Sequence, residues 1–339
     1  MPAKSRLRSI SAHLSQKEPM RVCVTGAGGQ IAYSLLPMLC RGLMLGTDQP
    51  IHLNLLDIPQ AQQQLQGVIM ELQDCAFPLL TSITGGSDPY TLFKDCDLVV
   101  FLGGFPRKAG MERKELIAKN VDIFKKQGQA LNEVGSSKTK CVVVANPANT
   151  NCLALTTNAP NIPKENFTCL TRLDMNRALS QIAEKASTRV YNVSNVVIWG
   201  NHSSTQYPDV NQGTIGGQSI RQFMKDDEWL NGEFIKTVQQ RGAAVIKARK
   251  MSSAMSAASA TVDHVRDWYL GTGSRWVSMG VVSDGSYGVP EGLVFSFPVI
   301  CENWNWKIIK NIPLDKFSGE KICATAKELT EERKEALGN

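Results

Sequence analysis

Residues 20–43 form a strongly patterned segment in which an apolar strand runs directly into a glycine-rich turn and then a helix. The predicted strand is Met20–Thr25, the turn is Gly-Ala-Gly-Gly at residues 26–29, and the helical pattern covers Gln30–Leu43. Glycines in such a turn let the backbone bend sharply and approach a pyrophosphate closely, and the helix start offers free N–H groups to the phosphates. The order of elements favours a dinucleotide site, although ordinary tight turns also contain glycine clusters.

The rest of the first half alternates apolar strands with helices. Ile51–Asp57, Leu98–Leu102 and Cys141–Ala145 are predicted strands that are apolar on both faces. Between them, the apolar side chains of residues 65–72 recur at i, i+3, i+4 and i+7, and a second helix is predicted around Asn120–Leu131. Strands of this kind are typical of a parallel sheet covered by helices on both sides. We therefore predict an α/β fold with a doubly wound, Rossmann-like parallel sheet.

The second half mixes element types. Tyr191–Trp199 is a predicted strand, and Gly242–Leu270 has one long helical pattern rich in alanine, serine and methionine. Three antiparallel strands are predicted within residues 277–309, followed by a closing helix at Ala324–Leu337. We expect a domain organisation with an extension at 1–19, an NAD-binding domain at 20–170 and an α+β catalytic and substrate domain at 171–339.

The composition excludes several classes of function. The 339 residues carry a formal net charge of +6, but basic and acidic residues are mixed, so no nucleic-acid partner is indicated. No run of about 18 apolar residues occurs, so no membrane span is expected. The nine cysteines contain no Cys-x-x-Cys pair, and neither a metal site nor a redox motif is predicted.

The first 19 residues leave the location of the protein open between two readings. They are basic, contain serine and are poor in acidic residues, which are weak marks of a mitochondrial transit peptide. They lack the apolar segment of a secretory signal. Our main expectation is a cytoplasmic protein with an N-terminal extension, and mitochondrial import is the alternative.

An acidic residue strengthens the prediction of a dinucleotide site. Asp57 ends the second predicted strand, downstream of the glycine turn. A carboxylate at this place can accept hydrogen bonds from the ribose hydroxyls of the adenosine half, whereas it would repel a 2′-phosphate. The sequence therefore favours NAD over NADP, against the alternative that Asp57 only ends a strand.

Three polar segments lie where chemistry is expected, at residues 105–113, 173–177 and 198–202. At these segments the chain resembles the malate dehydrogenases of cytosolic type in the lactate/malate dehydrogenase superfamily. The resemblance extends over nearly everything from Met20 onward. Its matching blocks are Thr25–Leu36, Met70–Leu80, Pro106–Leu116, Ala145–Cys152, Thr171–Ala178, Ile198–Asp209, Arg241–Ala258 and Tyr287–Pro290.

The resemblance implies a role for each chemical residue. His202 would be the general acid and base, a task that suits imidazole because it titrates near neutrality. Asp174 would orient the ring and stabilise its protonated form. Arg177, three residues further along, would hold the C1 carboxylate of the substrate in a two-pronged contact, and Arg113 would polarise the reacting carbonyl.

By the same resemblance, Arg107 decides which substrate is used. An arginine at this position pairs with the second carboxylate of oxaloacetate, whereas a glutamine fits the methyl group of pyruvate. A buried guanidinium without a counter-charge is costly, so pyruvate and aromatic 2-oxo acids should be rejected. Glycines 103, 104 and 110 in the same segment suit a mobile lid that closes over the substrate.

The remaining site residues are also implied by the resemblance. Asn146 would contact both substrate and cofactor, and Ser252 and Ser253 either line the nicotinamide pocket or serve only in helix packing. The predicted cofactor-binding set is Gly26, Ala27, Gly28, Gly29, Gln30, Ile31, Ala32, Asp57, Asn120, Gln127, Val144, Ala145 and Asn146.

The sequence therefore predicts an NAD-dependent enzyme that interconverts malate and oxaloacetate, working as a homodimer by analogy with the family. A related 2-hydroxyacid dehydrogenase for lactate or aromatic acids would have a neutral or small residue in place of Arg107. A non-catalytic NAD-binding module would have lost His202, Asp174 or one of the arginines. The chain has an arginine at 107 and keeps His202, Asp174 and the arginines, so the malate dehydrogenase interpretation is favoured over both alternatives.

Overall fold

A computed structural model describes residues 17–105 and 112–338 of the chain. Its first half contributes six strands, which are β1 (Met20–Thr25), β2 (Ile51–Leu56), β3 (Leu80–Gly86), β4 (Leu98–Phe101), β5 (Lys140–Val143) and β6 (Phe167–Cys169). The helices of this half are α1 (Gln30–Cys40), α2 (Gln62–Asp74), the short α3 (Pro89–Leu92), α4 (Arg113–Val134) and α5 (Ala148–Thr157).

The second half is built from shorter strands and longer helices. Its strands are β7 (Val193–Ser194), β8 (Val197–Trp199), β9 (Tyr207–Asp209), β10 (Thr214–Ile215), β11 (Gln218–Ser219), β12 (Val277–Val282), β13 (Val294–Glu302) and β14 (Asn305–Ile308). Its helices are α6 (Arg172–Lys185), α7 (Ile220–Met224), α8 (Asp227–Asn231), α9 (Glu233–Arg249), α10 (Met255–Leu270) and α11 (Lys316–Leu337).

The predicted parallel sheet is confirmed. The six strands of the first half pair in parallel in the order β3-β2-β1-β4-β5-β6, with β1 between β2 and β4. This order reverses direction between β1 and β4, which opens a crevice at the carboxyl ends of the strands. Buried apolar side chains pack on both faces of these strands, as expected for a sheet covered by helices.

Two predicted elements in the second half are wrong in their extent. The single helix expected over Gly242–Leu270 is two helices, because the chain leaves helical geometry at residues 250–254, where Lys250 adopts a left-handed φ of 60°. The strand expected over Tyr191–Trp199 is a helical turn followed by β7 and β8, with Asn195 at a φ of 54° between them. The expectation of antiparallel strands within 277–309 is confirmed.

One continuous sheet crosses both halves of the chain. Strand β12 pairs antiparallel with β6 through Gly280 and Cys169, and β13 and β14 extend the sheet to nine strands. A side chain on Gly280 would lie 2.0 Å from the Cys169 sulfur, so the close approach of the two strands requires glycine there. Among the described residues, no helix is both long enough and apolar enough to cross a membrane.

Candidate active site

Most of the predicted site residues lie on one side of the sheet, where the parallel strands have their carboxyl ends. The glycine turn follows β1, residues 102–105 follow β4, residues 144–146 follow β5, and the segment leading into α6 follows β6. Ligands of open α/β sheets bind at this edge, at the point where the strand order reverses. The topology thus explains why segments far apart in sequence can act on one ligand.

The turn after β1 can only be made by glycine. Gly26 has a φ of 63°, and a side chain there would lie 2.6 Å from the Cα of Gly103. The backbone N–H of Gly103 donates to the Thr25 hydroxyl at 3.1 Å, which holds the ends of β1 and β4 together. Two backbone segments therefore meet without intervening side chains at the mouth of the crevice.

Asp57 lies directly beside this turn. Its Oδ2 accepts the backbone N–H of Gly28 at 2.8 Å, and its Oδ1 accepts the N–H of Ile58 at 2.8 Å. A side chain on Gly28 would lie 3.2 Å from that carboxylate oxygen. The carboxylate and the glycine turn therefore form one surface, as a ligand with both a ribose and a pyrophosphate would require.

The residues after the turn begin α1. Gly29 is its first flanking residue, and Gln30, Ile31 and Ala32 form its first turn. The unpaired N–H groups and partial positive charge of an eleven-residue helix thus point toward the crevice. Ala27 is fully buried, and its N–H donates to the carbonyl of Leu56. The glycine cradle, the helix start and Asp57 together fit the pyrophosphate and ribose of NAD.

The segment after β5 separates buried from exposed residues. Val144 and Ala145 are buried, and the side chain of Asn151 donates to the carbonyl of Ala145 at 2.9 Å. Asn146 is exposed at the edge of the sheet, and the Asn146–Pro147 peptide bond is cis. The geometry is compatible with the predicted nicotinamide and substrate contacts, which stay predictions.

Asn120 and Gln127 lie on α4, after the predicted lid. Asn120 is fully buried, and its amide spans the backbone of Phe105, accepting from the N–H at 2.8 Å and donating to the carbonyl at 3.1 Å. It thereby anchors Phe105, where the predicted lid segment begins, a role that the sequence did not suggest. The side-chain oxygen of Gln127 is buried without a protein partner within the described residues. Ser252 and Ser253 lie in the break between α9 and α10.

The structure brings His202, Asp174 and Arg177 together. His202 follows β8, whereas the other two lie on successive turns at the start of α6. The Nδ1 atom of His202 is hydrogen-bonded to Asp174 Oδ2, and Arg177 donates to Asp174 Oδ1 at 2.9 Å. The carboxylate is fully buried, while the imidazole keeps 20% of its surface exposed. This arrangement presents the other ring nitrogen, Nε2, to a ligand.

Gln206 completes the surroundings of the buried carboxylate. It is 2% exposed, its Nε2 atom donates to the carbonyl of Ser203 at 3.1 Å, and it helps to lower the pKa of Asp174. Burial alone would raise the pKa of Asp174, but His202, Arg177 and Gln206 together outweigh burial and hold that pKa below its ordinary value. Asp174 is therefore an ionised acceptor that fixes which imidazole nitrogen carries the proton.

The glycine of the Trp-Gly-Asn-His segment at residues 199–202 is required by the backbone there. Gly200 has a φ of 98°, and a side chain there would lie 2.2 Å from Thr325 of α11. The N–H and carbonyl of Gly200 both bond to Ser296 of β13, and Trp199 donates to Asp209 at 3.0 Å. The glycine lets the chain leave β8 and turn His202 toward Asp174.

Two of the predicted substrate residues cannot be placed. Arg107 and the lid glycine Gly110 lie outside the described residues, and so does the side chain of Arg113, although its backbone begins α4. Their roles stay predictions.

Sequence reasoning missed several residues that hold the site. Gln206, Asn149, Glu328 and Glu332 all bond to Asp174 or to the segment around His202. Helix α5 directly follows Pro147, but no periodicity in its sequence marks which of its polar residues is buried. The glutamates lie on a charged helix more than 120 residues from His202, where nothing local distinguishes them from surface charges.

Comparison with protein families matches almost the whole described chain. A model described as the NAD binding domain of lactate/malate dehydrogenase matches residues 20–168. A second model, described as the alpha/beta C-terminal domain of lactate/malate dehydrogenase, matches residues 171–338.

Individual proteins show the same similarity. The chain is 59% identical over 322 residues to the cytoplasmic malate dehydrogenase of Zea mays, covering 94% of this chain and 97% of the maize protein. It superposes on the crystal structure of malate dehydrogenase from Naegleria fowleri with a TM-score of 0.92 and 47% identity, covering 95% and 99% of the two chains. It also superposes on a Trichomonas vaginalis lactate dehydrogenase in complex with NADH and oxamate, with a TM-score of 0.90 and 34% identity over 94% and 98%.

Proposed function

This chain belongs to the lactate/malate dehydrogenase family, and we propose that it is an NAD-dependent malate dehydrogenase that interconverts malate and oxaloacetate. One observation supports this most directly. A buried, ionised Asp174 holds both the proton-transfer group His202 and the carboxylate-binding group Arg177. A non-catalytic NAD-binding module would not need that arrangement.

The protein residues handle the proton. A bound nicotinamide supplies hydride acceptance in one direction and hydride donation in the other. With Nδ1 engaged by Asp174, the Nε2 atom of His202 takes the hydroxyl proton of malate and returns it to the carbonyl oxygen of oxaloacetate. Asp174 stabilises the imidazolium that forms between these events, because its negative charge lies against the ring.

The arginines bind and orient the acid. Arg177 keeps 12% of its side chain exposed while one nitrogen bonds to Asp174, so the rest of the guanidinium can grip the C1 carboxylate. Arg113 polarises the reacting carbonyl, and Arg107 pairs with the second carboxylate. A dicarboxylate is preferred because its second negative charge balances Arg107 in a closed, dry pocket.

A substrate panel tests the proposal. We expect the purified protein to oxidise NADH with oxaloacetate much faster than with pyruvate or phenylpyruvate. Arg107→Gln should lower kcat/KM for oxaloacetate by at least about 10²-fold while leaving NADH affinity unchanged, because only the second carboxylate loses its partner. Equal turnover of pyruvate would reject the dicarboxylate assignment and favour a 2-hydroxyacid dehydrogenase of other specificity.

The remaining expectations concern the whole protein. We propose that it works in the cytoplasm, as the name of the maize relative states for that protein. We also propose a domain boundary near residue 170 and a homodimer. Light scattering of the purified protein at micromolar concentration tests the dimer, which should have twice the 37.2 kDa mass of the chain.

A further inference from the structure

The first turn of α5 lies against the segment that carries His202. Asn149 in this turn is fully buried. Its Oδ1 accepts the backbone N–H of His202 at 2.9 Å, and its amide nitrogen donates to the carbonyls of Gly200 at 3.2 Å and Val294 at 3.0 Å. One side chain therefore grips the chain on both sides of Asn201 and ties it to β13.

Only an amide satisfies this environment. Asn149 supplies two N–H groups to two carbonyls and one oxygen to an N–H. An aspartate would place a negative oxygen against two carbonyl oxygens. An alanine would take the side-chain partner from the His202 N–H and the Val294 carbonyl, and would leave the Gly200 carbonyl with Ser296 as its remaining partner. The side chain is thus matched to the backbone of residues 200–202.

A second connection runs in parallel to the first. The hydroxyl of Thr150, the next residue of α5, bonds to Glu332 of α11. Glu332 also accepts from the Asn201 amide at 3.0 Å, and Glu328 accepts from the same amide nitrogen at 2.9 Å. Residues 200–202 are therefore held by α5 directly and, through the two glutamates, by α11.

The same helix also faces the cofactor side of the site. Helix α5 begins two residues after Asn146, and Asn151 in its first turns holds the carbonyl of Ala145 at 2.9 Å. We propose that Asn149 is a positioning residue that fixes the imidazole of His202 relative to the Ala145–Asn146 corner, with Glu332 as a weaker second support. This inference rests on the proposed function, because that corner and His202 must act on one substrate.

Kinetics of Asn149→Ala test the inference. We expect kcat for oxaloacetate to fall by about 10²-fold, the size of loss that small misplacements of reacting groups produce. The Kd of NADH should not change, because the glycine turn and Asp57 are untouched. The kinetic isotope effect with deuterated NADH should rise as the chemical step becomes slower.

A matched variant separates positioning from simple loss of stability. Asn166 is 4% exposed and donates to the carbonyl of Ser137 at 2.8 Å. It lies at the amino end of β6, whereas the site lies at the carboxyl ends of the strands. Asn166→Ala removes a comparable buried amide, so it should lower the Tm without changing kcat or the isotope effect. If Asn149→Ala shows the same pattern as Asn166→Ala, the positioning role is wrong.

A spectroscopic readout does not depend on turnover. The proton that His202 Nδ1 shares with Asp174 should give a low-field proton NMR signal, assigned by its absence in His202→Asn. The signal should broaden or vanish in Asn149→Ala and persist in Asn166→Ala, and an unchanged signal in Asn149→Ala would overturn the inference. This comparison decides the inference even if the wild-type protein does not reduce oxaloacetate, a result that would reject the proposed function alone.

Glu332→Gln covers the case in which Asn149→Ala does not fold. Its carboxylate accepts from both Thr150 and Asn201, which a single amide oxygen cannot do equally well. We expect the same pattern with a smaller loss of kcat, about tenfold. A wild-type kcat and an unchanged low-field signal in Glu332→Gln would contradict a shared support by α5 and α11.

Discussion

The glycine turn after β1 (residues 26–29) and the site around His202 and Asp174 are assembled over different lengths of chain and by different forces. The turn is a local backbone shape, and the side chains of Asp57 and Gln64 that bond to Gly28 lie 29 and 36 residues from it. His202 bonds to Asp174 across 28 residues, to Asn149 across 53, and its neighbour Asn201 bonds to Glu332 across 131. Backbone sterics therefore set the first region, whereas buried hydrogen bonds and charges set the second.

This contrast indicates that substitutions should divide into two kinetic classes. Changes in the turn should act on cofactor affinity, because they alter the space that a pyrophosphate can occupy. Changes around His202 should act on turnover at saturating cofactor, because they alter proton transfer. A single substitution that changes both cofactor affinity and turnover at saturating cofactor would contradict this division.

The largest effect is expected at His202. His202→Asn removes the titrating nitrogen, so kcat should fall about 10³-fold, within the usual range for a general acid and base. Steady-state assays with oxaloacetate measure kcat, and NADH fluorescence titration should give a wild-type Kd. Substantial turnover in this variant would reject the acid–base assignment.

Gly26→Ala should give the largest effect on the cofactor side. The alanine would have to adopt a φ of 63°, and its Cβ would lie 2.6 Å from the Cα of Gly103. We expect the Kd of NADH to rise at least about tenfold, because a left-handed alanine alone costs about 1–2 kcal/mol and the clash adds to it. Gly67→Ala on α2 is the control, since no atom lies within 4 Å of its added Cβ. A wild-type Kd in Gly26→Ala would show that the turn tolerates a side chain.

Asp57→Asn should have a more modest and selective effect. The variant loses one charge and one acceptor beside Gly28. We expect the kcat/KM with NADH to fall about tenfold, as charge-assisted hydrogen bonds contribute about 1.5–3 kcal/mol. The ratio of kcat/KM for NADH over NADPH should shift toward NADPH, and an unchanged ratio would contradict the contact with ribose.

The last effect is on stability and leaves the kinetics at pH 7 unchanged, and it concerns the joint between the two regions, where α10 packs against α1 and α6. Burial, assisted by the charge of Arg172, lowers the pKa of His264 to about 3 against the opposing effect of Asp267. Below about pH 6.5 the unfolded chain gains a proton that the folded chain excludes, so the free energy of unfolding falls by about 1.4 kcal/mol per pH unit.

His264→Gln removes that proton uptake. Its free energy of unfolding should therefore decline less steeply than that of the wild type between pH 6.5 and 4, as followed by urea titrations at several pH values. The surface variant His52→Gln serves as the comparison. Parallel curves for His264→Gln and the wild type would contradict the burial of a neutral imidazole.

Elements could be predicted from the sequence where their pattern is contiguous in the chain. The glycine turn and β1 appear in the sequence because strand, turn and helix start are contiguous. Strand β3 was missed because it lies at the edge of the sheet and most of its side chains are exposed, so that it has no apolar run. Strand β6 was missed because it has only three residues.

The chemical residues needed a different kind of information. The pairing of His202 with Asp174 was implied by family resemblance, because no local pattern joins β8 to α6. The amide of Asn149 bonds to groups that only the tertiary fold brings near, and Gln206 comes close to Asp174 only in the folded chain, so their roles were not available from periodicity or composition.

The junction of β6 with β12 has a consequence for the chain as a polymer. If the two halves were produced as separate polypeptides, the short strand β6 and its neighbour β12 would each present unpaired backbone groups at an open sheet border. Exposed edge strands pair with strands of other chains. The two separate halves would therefore aggregate or bind each other and would not remain independent soluble domains. During synthesis the first half emerges before β12 exists, so the border at β6 stays open until the second half of the same chain has been made.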